Sequence, residues 1–570
     1  MKSIARRPDV ARVSDWPSAL HPVVRQVLAK RELDTTLELE LKLQYLLPVG
    51  RVPALDEAVA LLLECRDKPI VIVGDFDADG ATSTALLMLA LARFGFASVD
   101  YFIPDRFKLG YGLSPGAVAA LPDSDGGLIV TVDNGISSVD GVEAAKARGY
   151  RVLVTDHHLP GPTLPAADVI VNPNINGSGL AGGNLAGVGV AFYLVAALGR
   201  ALDQARIAAE FLDLVALGTV ADLVRLDHSN RILVEQGLRR IRAGACRPGL
   251  LALCKAAGLD HGGVIASTLG FQLGPRLNAA GRLDDMSIGV RCLLTEDARE
   301  AAQLATELDH LNRSRREIEG RMRDEALALV DQLDIDESSD GSSAVCLMQE
   351  DWHEGIVGLV ASRVKDRVHR PAFAFAPTGV DELKGSGRSI SGFHLRDALA
   401  DVDARRPGLI TRFGGHAMAA GLTLPRGRFS EFSALIGEVA RDRLGNADLT
   451  QRVMSDGSLE PADLNLEVAR VLRDTLPWGQ GFPEPCFDGQ FELIESRVLK
   501  GAHLKVTVKP VGSSCAVEGI AFNAADVEWA PGTARTIAYR LDVNDYFSTP
   551  REQLVIEHIA APGEDVLDVD

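Results

Sequence analysis

Three aspartates at alternate positions, Asp75, Asp77 and Asp79, lie in Gly74-Asp-Phe-Asp-Ala-Asp-Gly80, directly after the short apolar run Ile70 to Val73. Carboxylates this close repel one another and raise each other's pKa; a hard divalent cation with a preference for oxygen relieves both effects. In extended or turning backbone, side chains at i, i+2 and i+4 project to one side, so the three can share such an ion. A solvated acidic turn has the same spelling, and the stretch alone does not decide between the two. Residues further along the chain do. The run Leu128 to Val132 ends in Asp133-Asn-Gly-Ile, and the run Val152 to Thr155 ends in Asp156-His157-His158. A helical segment from Ala208 to Leu217 leads through Gly218-Thr-Val-Ala to Asp222. Three successive strand ends bearing Asp or His, plus Asp222, make a carboxylate and imidazole donor set suited to Mg²⁺ or Mn²⁺, the imidazole favouring manganese.

Short apolar strands alternating with helices predict a parallel sheet covered on both faces, and ligands bind such sheets outside the carboxyl ends of the strands. That is where these residues fall. A chain of 570 residues is too long for one core, so several domains are expected. Residues 1–66 read as a helical N-terminal segment and 67–295 as the domain holding the acidic motifs. Residues 296–333 form one long charged helical pattern, with Ala301, Leu304, Leu308 and Leu311 at helical spacing. The polar run Asp331 to Asp340 marks a domain edge, and a second α/β lobe spans 334–450. From 451 to 560 the pattern turns β-rich, with short strands at Phe487–Ile494, Ser496–Val498, His503–Val508, Ala516–Ala521, Thr536–Asp542 and Glu552–Ile559, which suggests a small closed barrel. Residues 561–570 form an acidic tail.

A net charge of −19 excludes a wholly basic nucleic-acid binder but not a local basic groove. Seven cysteines without paired spacing argue against a zinc module or a disulfide framework and suit a reducing cytoplasm. No apolar run approaches the roughly 20 residues of a membrane span, and an apolar leader is missing from the N-terminus.

The four motifs Gly-Asp-Phe-Asp-Ala-Asp-Gly, Val-Asp-Asn-Gly, Asp-His-His and Gly-Thr-Val-Ala-Asp, in this order, resemble those of the DHH phosphoesterase superfamily. Phe271-Gln-Leu-Gly-Pro-Arg-Leu-Asn-Ala-Ala-Gly-Arg282 is similar to the segment that RecJ exonucleases carry after their phosphoesterase domain. Arg412-Phe-Gly-Gly-His-Ala-Met-Ala-Ala-Gly421 resembles the glycine-rich signature of the DHHA1 domain. The β-rich C-terminal region sits where RecJ-like proteins carry an oligonucleotide-binding (OB) fold. The resemblance spans about residues 40 to 560. It implies a multidomain α/β protein: a parallel-sheet DHH domain and an α/β DHHA1 domain joined by a long helix, plus a C-terminal OB barrel.

The same resemblance implies that Asp75, Asp77, Asp79, Asp133, His157 and Asp222 bind two divalent cations, Mn²⁺ or Mg²⁺, which such sites hold about 3.5–4 Å apart. Asp133 would bridge them, and either His157 or His158 would ligate metal or assist the leaving oxygen. The implied activity is a 5′→3′ exonuclease that degrades single-stranded DNA to 5′-mononucleotides in repair and recombination. Ser386 and Arg388, in Lys384-Gly-Ser-Gly-Arg-Ser389, are suited to gripping a terminal phosphate, with Arg106 as a third candidate. Tyr111 is a candidate for base stacking and Arg276 for a phosphate contact. Asn278, Gly414, Gly415 and His416 complete the substrate-binding set. Lys500, His503, Lys505, Lys509, Phe522 and Tyr539 are candidate barrel contacts to nucleic acid. A single-strand-binding protein and a helicase are implied partners, and a monomer is expected. Two other readings are a DHH phosphodiesterase of short oligonucleotides or cyclic dinucleotides, and an inactive nucleic-acid-binding scaffold. The first lacks use for the inter-lobe segment and barrel; the second would have lost metal ligands that this chain retains.

Overall fold

The N-terminal stretch, expected to be helical, opens as a strand, β1 (Lys2–Arg6), and becomes helical only at Pro22–Ala29 and Leu55–Glu64. The computed structural model describes every residue except 1, 14, 124–125, 176–183, 333–342, 380, 446–449, 546–548 and 570. Most of the predicted acidic run Asp331–Asp340, and the boundary at 334, therefore lie outside the described residues. The rest divides into two compact units, Met1–Asn278 with Met286–Thr306 and Gln451–Asp570, and Ala279–Asp285 with Glu307–Thr450.

In the first unit, β2 (Pro69–Gly74), β3 (Ser98–Phe102), β4 (Leu128–Val132), β5 (Arg151–Thr155) and β6 (Val169–Val171) form one parallel sheet ordered β3-β2-β4-β5-β6. β4 is buried along its whole length, as the near-continuous Leu-Ile-Val-Thr-Val run requires when helices cover both faces. The chain leaves β2 for β3 on one side and returns to β4 on the other. This reversal of strand order opens a crevice at the carboxyl ends of β2 and β4. Asn134 fixes that crevice by donating its amide to both Val73 O and Val132 O.

The acidic loop departs from the sequence reading. The three aspartates do not alternate along extended backbone, because the helix Ala78–Arg93 begins inside the motif. Asp77 is its N-cap and accepts from Asp79 N and Gly80 N, both at 3.0 Å. Capping starts the helix early and places Asp79 in its first turn. Gly80 is required here, because a Cβ would stand 2.5 Å from Asp75 O.

The second unit holds β7 (Val345–Met348), β8 (Ala372–Thr378), β9 (Glu382–Arg388), β10 (Arg412–Gly415) and β11 (Ala419–Pro425), ordered β10-β11-β9-β8-β7. Strand alternation explains Lys384-Gly-Ser-Gly-Arg388. Gly385 and Gly387 lie under the Phe375 and Phe373 rings, where a Cβ would come within 2.3 and 2.6 Å, so Ser386 and Arg388 share the opposite face. The long helix runs Ala298–Val330.

Back in the first unit, β12 (Gln451–Ser455) precedes a closed barrel ordered β13-β14-β15-β17-β16, made of β13 (Phe487–Leu499), β14 (His503–Pro510), β15 (Val517–Ala521), β16 (Ala534–Asn544) and β17 (Arg551–Ile559). Two predicted strands, 487–494 and 496–498, are one long β13 with a register shift between Leu493 and Glu495; the bulge mimics a break in the apolar alternation. The acidic tail contains β18 (Leu567–Asp568), and β1 pairs in parallel with both β12 and β18. A strand whose partners lie more than four hundred residues away has no local signature. The join is fastened by Asp456, which holds Arg31 through two contacts of 2.6 and 3.0 Å in a fully enclosed pair. Replacing Asp456 with Ala strands a buried guanidinium, and we expect a loss of about 3–5 kcal/mol in chemical denaturation; an unchanged midpoint would deny the pair this role.

Candidate active site

At the carboxyl edge of the parallel sheet, Asp75 follows β2, Asp133 follows β4, and His157 and His158 follow β5. Asp222 caps the carboxyl end of the helix Leu212–Ala221, which packs on the helix Ala78–Arg93. The fold thus gathers all six predicted ligands. His157 Nε2 lies 3.0 Å from Asp133 Oδ1, 3.5 Å from Asp222 Oδ2 and 3.9 Å from Asp79 Oδ2. Donor atoms converge in three overlapping groups: Asp79, His157 and Asp222; Asp75, Asp77 and Asp133; and Asp133, His157 and His158. Asp133 and His157 each belong to two of them.

Backbone and small residues make this crowding possible. Asp133 adopts a left-handed φ of 60°, a conformation that costs most residues energy and is tolerated best by Asn and Asp. Gly187 opens the helix Gly187–Ala201 against it, where a Cβ would fall 2.6 Å from that of Asp133. The amides of Gly187 and Val188 donate to the two oxygens of Asp79 at 2.6 and 2.9 Å, placing the positive end of a helix on a buried carboxylate.

The electrostatics are those of a site built around cations. Burial, and then the charge of neighbouring aspartates, pushes Asp75, Asp133 and Asp222 well above the usual carboxylate range. The same two causes raise Asp79 to about 7, against the pull of its two amide donors. Asp133 Oδ1 is buried and accepts no hydrogen bond despite its nearness to His157. Hard oxygen donors with one or two imidazoles, one oxygen lacking a proton partner, fit Mn²⁺ or Mg²⁺.

Several residues that hold the site are not among those singled out by sequence. Asp156 is 1% exposed, accepts from Ile136 N at 2.9 Å and bonds His158 Nδ1 at 2.8 Å. Burial opposes protonation of His158, but this bond and charge outweigh it and raise the imidazole to about 9. Asn172 and Asn174 donate their amides to the carbonyls of His158 and His157. Their Asn-Pro-Asn spelling just after β6 is the available signal, since Asn side chains in turns bond nearby backbone.

The predicted substrate residues divide between the two units. In the first, Arg106 stacks over the Phe76 ring at 4.5 Å and lowers the cost of charge on Asp75. Tyr111, half-exposed, donates its hydroxyl to Asp133 O at 3.2 Å. Asn278 Oδ1 accepts from Ala78 N at 2.7 Å. Arg276 is buried and donates to Gln272 O, in the turn just before its helix Gly274–Leu283. In the second unit, Arg388 donates to Ser386 Oγ at 2.9 Å. Burial alone pushes its guanidinium below the usual range, and among the described residues no carboxylate offsets this. Gly358 leaves room for the pair, since a Cβ there would lie 2.8 Å from Arg388 Nη2 and 3.0 Å from Ser386 Oγ. Gly414 and Gly415 end β10 in the open, and His416 N bonds Ala419 O to close the turn. In the barrel, Phe522 is exposed and meets the His503 ring edge-on. Tyr539 is the correction: it is 1% exposed and packs on Phe487 and Phe491 inside the barrel, so it offers no stacking face. Lys505 and Lys509 are paired with Glu518 and Glu492.

A switch-point crevice lined by aspartates and an Asp-His-His turn defines a DHH-type phosphoesterase, and residues 69–219 match the DHH family, N-terminal domain. Residues 340–442 match the DHHA1 domain and 455–558 the RecJ OB domain. Over 568 residues the chain is 49% identical to the single-stranded-DNA-specific exonuclease RecJ of Escherichia coli, covering 97% of this chain and 98% of that one. It is 35% identical to the Bacillus subtilis protein of the same name, over 99% of this chain and 71% of that one. The crystal structure of RecJ in complex with Mn²⁺ from Thermus thermophilus aligns with a TM-score of 0.77 at 32% identity, covering 98% of this chain and 80% of that one. The Mg²⁺ complex gives 0.72 at 31% identity, over 98% and 79%. The chain belongs to the RecJ family of single-stranded-DNA-specific exonucleases.

Cation uptake by carboxylates with raised pKa must displace protons. We expect Mn²⁺ affinity to rise with pH through about 7, where Asp79 titrates. Calorimetry at pH 6 in buffers of differing ionisation heat should report proton release, and buffer-independent heats would contradict the electrostatic picture. In the metal-free protein these groups bind more protons folded than unfolded, so stability falls as pH rises from the ordinary Asp range, about 4, towards 7. Asp133→Asn should remove part of that penalty: the metal-free variant melts no lower than the parent at pH 8, while the Mn²⁺-induced rise in melting temperature disappears. Melting well below the parent would make Asp133 a structural residue.

Proposed function

We propose that this protein is a metal-dependent exonuclease that hydrolyses single-stranded DNA from its 5′ end to 5′-mononucleotides, in DNA repair and recombination. The observation that carries it is the convergence of five aspartates, three of them buried, with His157 and His158 in three overlapping donor groups at the sheet's carboxyl edge, in a chain of this family. Asp79, His157 and Asp222 would hold one cation and Asp75, Asp77 and Asp133 the other. Asp133, beside His157, would be the shared ligand. When bound, the two cations would neutralise charge on the phosphate and lower the pKa of water at the site.

The chain's own groups do the rest. His158, oriented by Asp156, is the proton donor to the departing 3′ oxygen, and Tyr111 beside its Nε2 limits its rotation. Arg106 and Tyr111 meet the strand next to the acidic loop, while Asn278 and Arg276 brace the segment behind it. Ser386 and Arg388 bind the 5′ phosphate, for a part-buried arginine without a carboxylate partner among the described residues is a ready anion site. Gly414, Gly415 and His416 contribute open backbone to the same lobe. A cytoplasmic setting agrees with seven free cysteines, and no described helix is long and apolar enough to cross a membrane. A monomer, with a single-strand-binding protein and a helicase as partners, completes the reading on the strength of the family resemblance.

The test is single-stranded DNA labelled at either end, incubated with Mn²⁺ and compared with duplex and a cyclic dinucleotide. Progressive release of mononucleotides from the 5′ end with duplex spared supports the proposal; cleavage of the dinucleotide alone points to the smaller phosphodiesterase chemistry. Arg388→Ala should erode preference for 5′-phosphorylated over unphosphorylated ends by about ten- to a hundredfold, the worth of a hydrogen bond to a charged group. An equal loss on both ends would remove Arg388 from the phosphate site.

A further inference from the structure

The two most exposed large apolar side chains among the described residues are Phe271, 74% exposed, and Leu223, 65% exposed. Both are fixed to the same end of one helix. Leu223 directly follows Asp222 and holds a left-handed φ of 59°, the conformation in which many helices end but one that burdens a bulky residue, and its amide turns back to Val220 O at 3.3 Å. Phe271 lies in Leu269–Leu273, a short π-helical segment, a distortion that occurs often at functional sites. That segment and the start of the helix after it pack on the helix Leu212–Ala221 through two glycines. A Cβ on Gly270 would meet Val220 at 3.2 Å, and one on Gly274 would meet Ala221 at 3.0 Å. Val220 and Ala221 are the residues immediately before Asp222. Seven positions beyond Phe271, Asn278 accepts the Ala78 amide of the acidic loop; at the helical rise this is about 10 Å. Both residues fall between the matched ranges 69–219 and 340–442.

Exposed aromatic and aliphatic side chains flanking a charged centre that takes nucleic acid suit the face of an unpaired nucleobase, which stacks on such surface. We propose that Phe271 and Leu223 form a base platform, on which a nucleobase of the bound single strand next to the scissile phosphate stacks, so that the site reads an unstacked base as well as a phosphate. The proposal rests on the exonuclease reading above. It gives single-strand selectivity a source at the metal site itself, because a paired base does not offer its face.

The test uses the full-length Mn²⁺-loaded protein and short 5′-phosphorylated strands in which one abasic nucleotide is walked inward from the 5′ end. The parent should cleave about tenfold more slowly when the abasic position meets the platform, the scale of one base–aromatic stack. Phe271→Ala should be slowed about as much on intact strands and lose its sensitivity at that one position, whereas Phe271→Trp keeps both. Leu223→Gly separates function from folding: relief of the left-handed strain should raise the melting temperature while cleavage of intact strands slows. Abasic and Phe271→Ala effects that multiply independently, or a Phe271→Ala enzyme that matches the parent on intact strands, would overturn the platform. A parent that cleaves single strands with no abasic-sensitive position also overturns it and leaves the exonuclease reading standing. A parent that cleaves no single strand sinks both.

Discussion

The structure turns on mutual repulsion among buried carboxylates. Asp75, Asp79, Asp133 and Asp222 share a space in which burial and one another's charge hold each above its ordinary pKa. Packing of this kind is unfavourable in a metal-free protein near neutral pH, and it becomes favourable only when cations replace protons. The fold accordingly commits other elements to keeping the aspartates together. Asn134 ties the ends of β2 and β4, Gly187 lets a helix start within van der Waals reach of Asp133, and Asp156 locks His158. Asn134 with Val73, and Gly187 with Asp133, join chain segments distant in sequence, while Asp156 works within its own turn. That is why the site sits on the rigid carboxyl edge of a sheet rather than on a mobile loop.

The second unit applies the same logic with opposite sign. Alternating glycines under two phenylalanine rings turn Ser386 and Arg388 to one face, and the arginine is part-buried with no carboxylate among the described residues to balance it.

Much of this is legible in the sequence because the motifs are local. Apolar runs of four or five residues ending in Asp or His announce both the parallel sheet and the edge at which chemistry occurs. What stays hidden depends on distant partners or on caps. β1 reads as part of a helical segment because its partners are β12 and β18. The acidic loop reads as extended because the capping by Asp77, which starts the helix at Ala78, shows only in three dimensions. Asp156 is visible as the first letter of Asp-His-His, yet its work, holding His158, needs the Ile136 amide and the ring geometry to be seen. Tyr539 reads as a surface aromatic on a barrel strand, although the strand's alternation points it inward. Phe271 sits in its motif without a legible role, since exposure is a property of the fold and not of the spelling.

The most direct measurement of cation sharing by the aspartates is anomalous diffraction at the manganese edge from crystals of the full-length protein soaked in Mn²⁺. The expected result is two peaks in the crevice, both within coordinating distance of Asp133, with His157 on one of them and Asp75 on the other. A single peak, or two that leave Asp133 coordinating neither or only one, would contradict it.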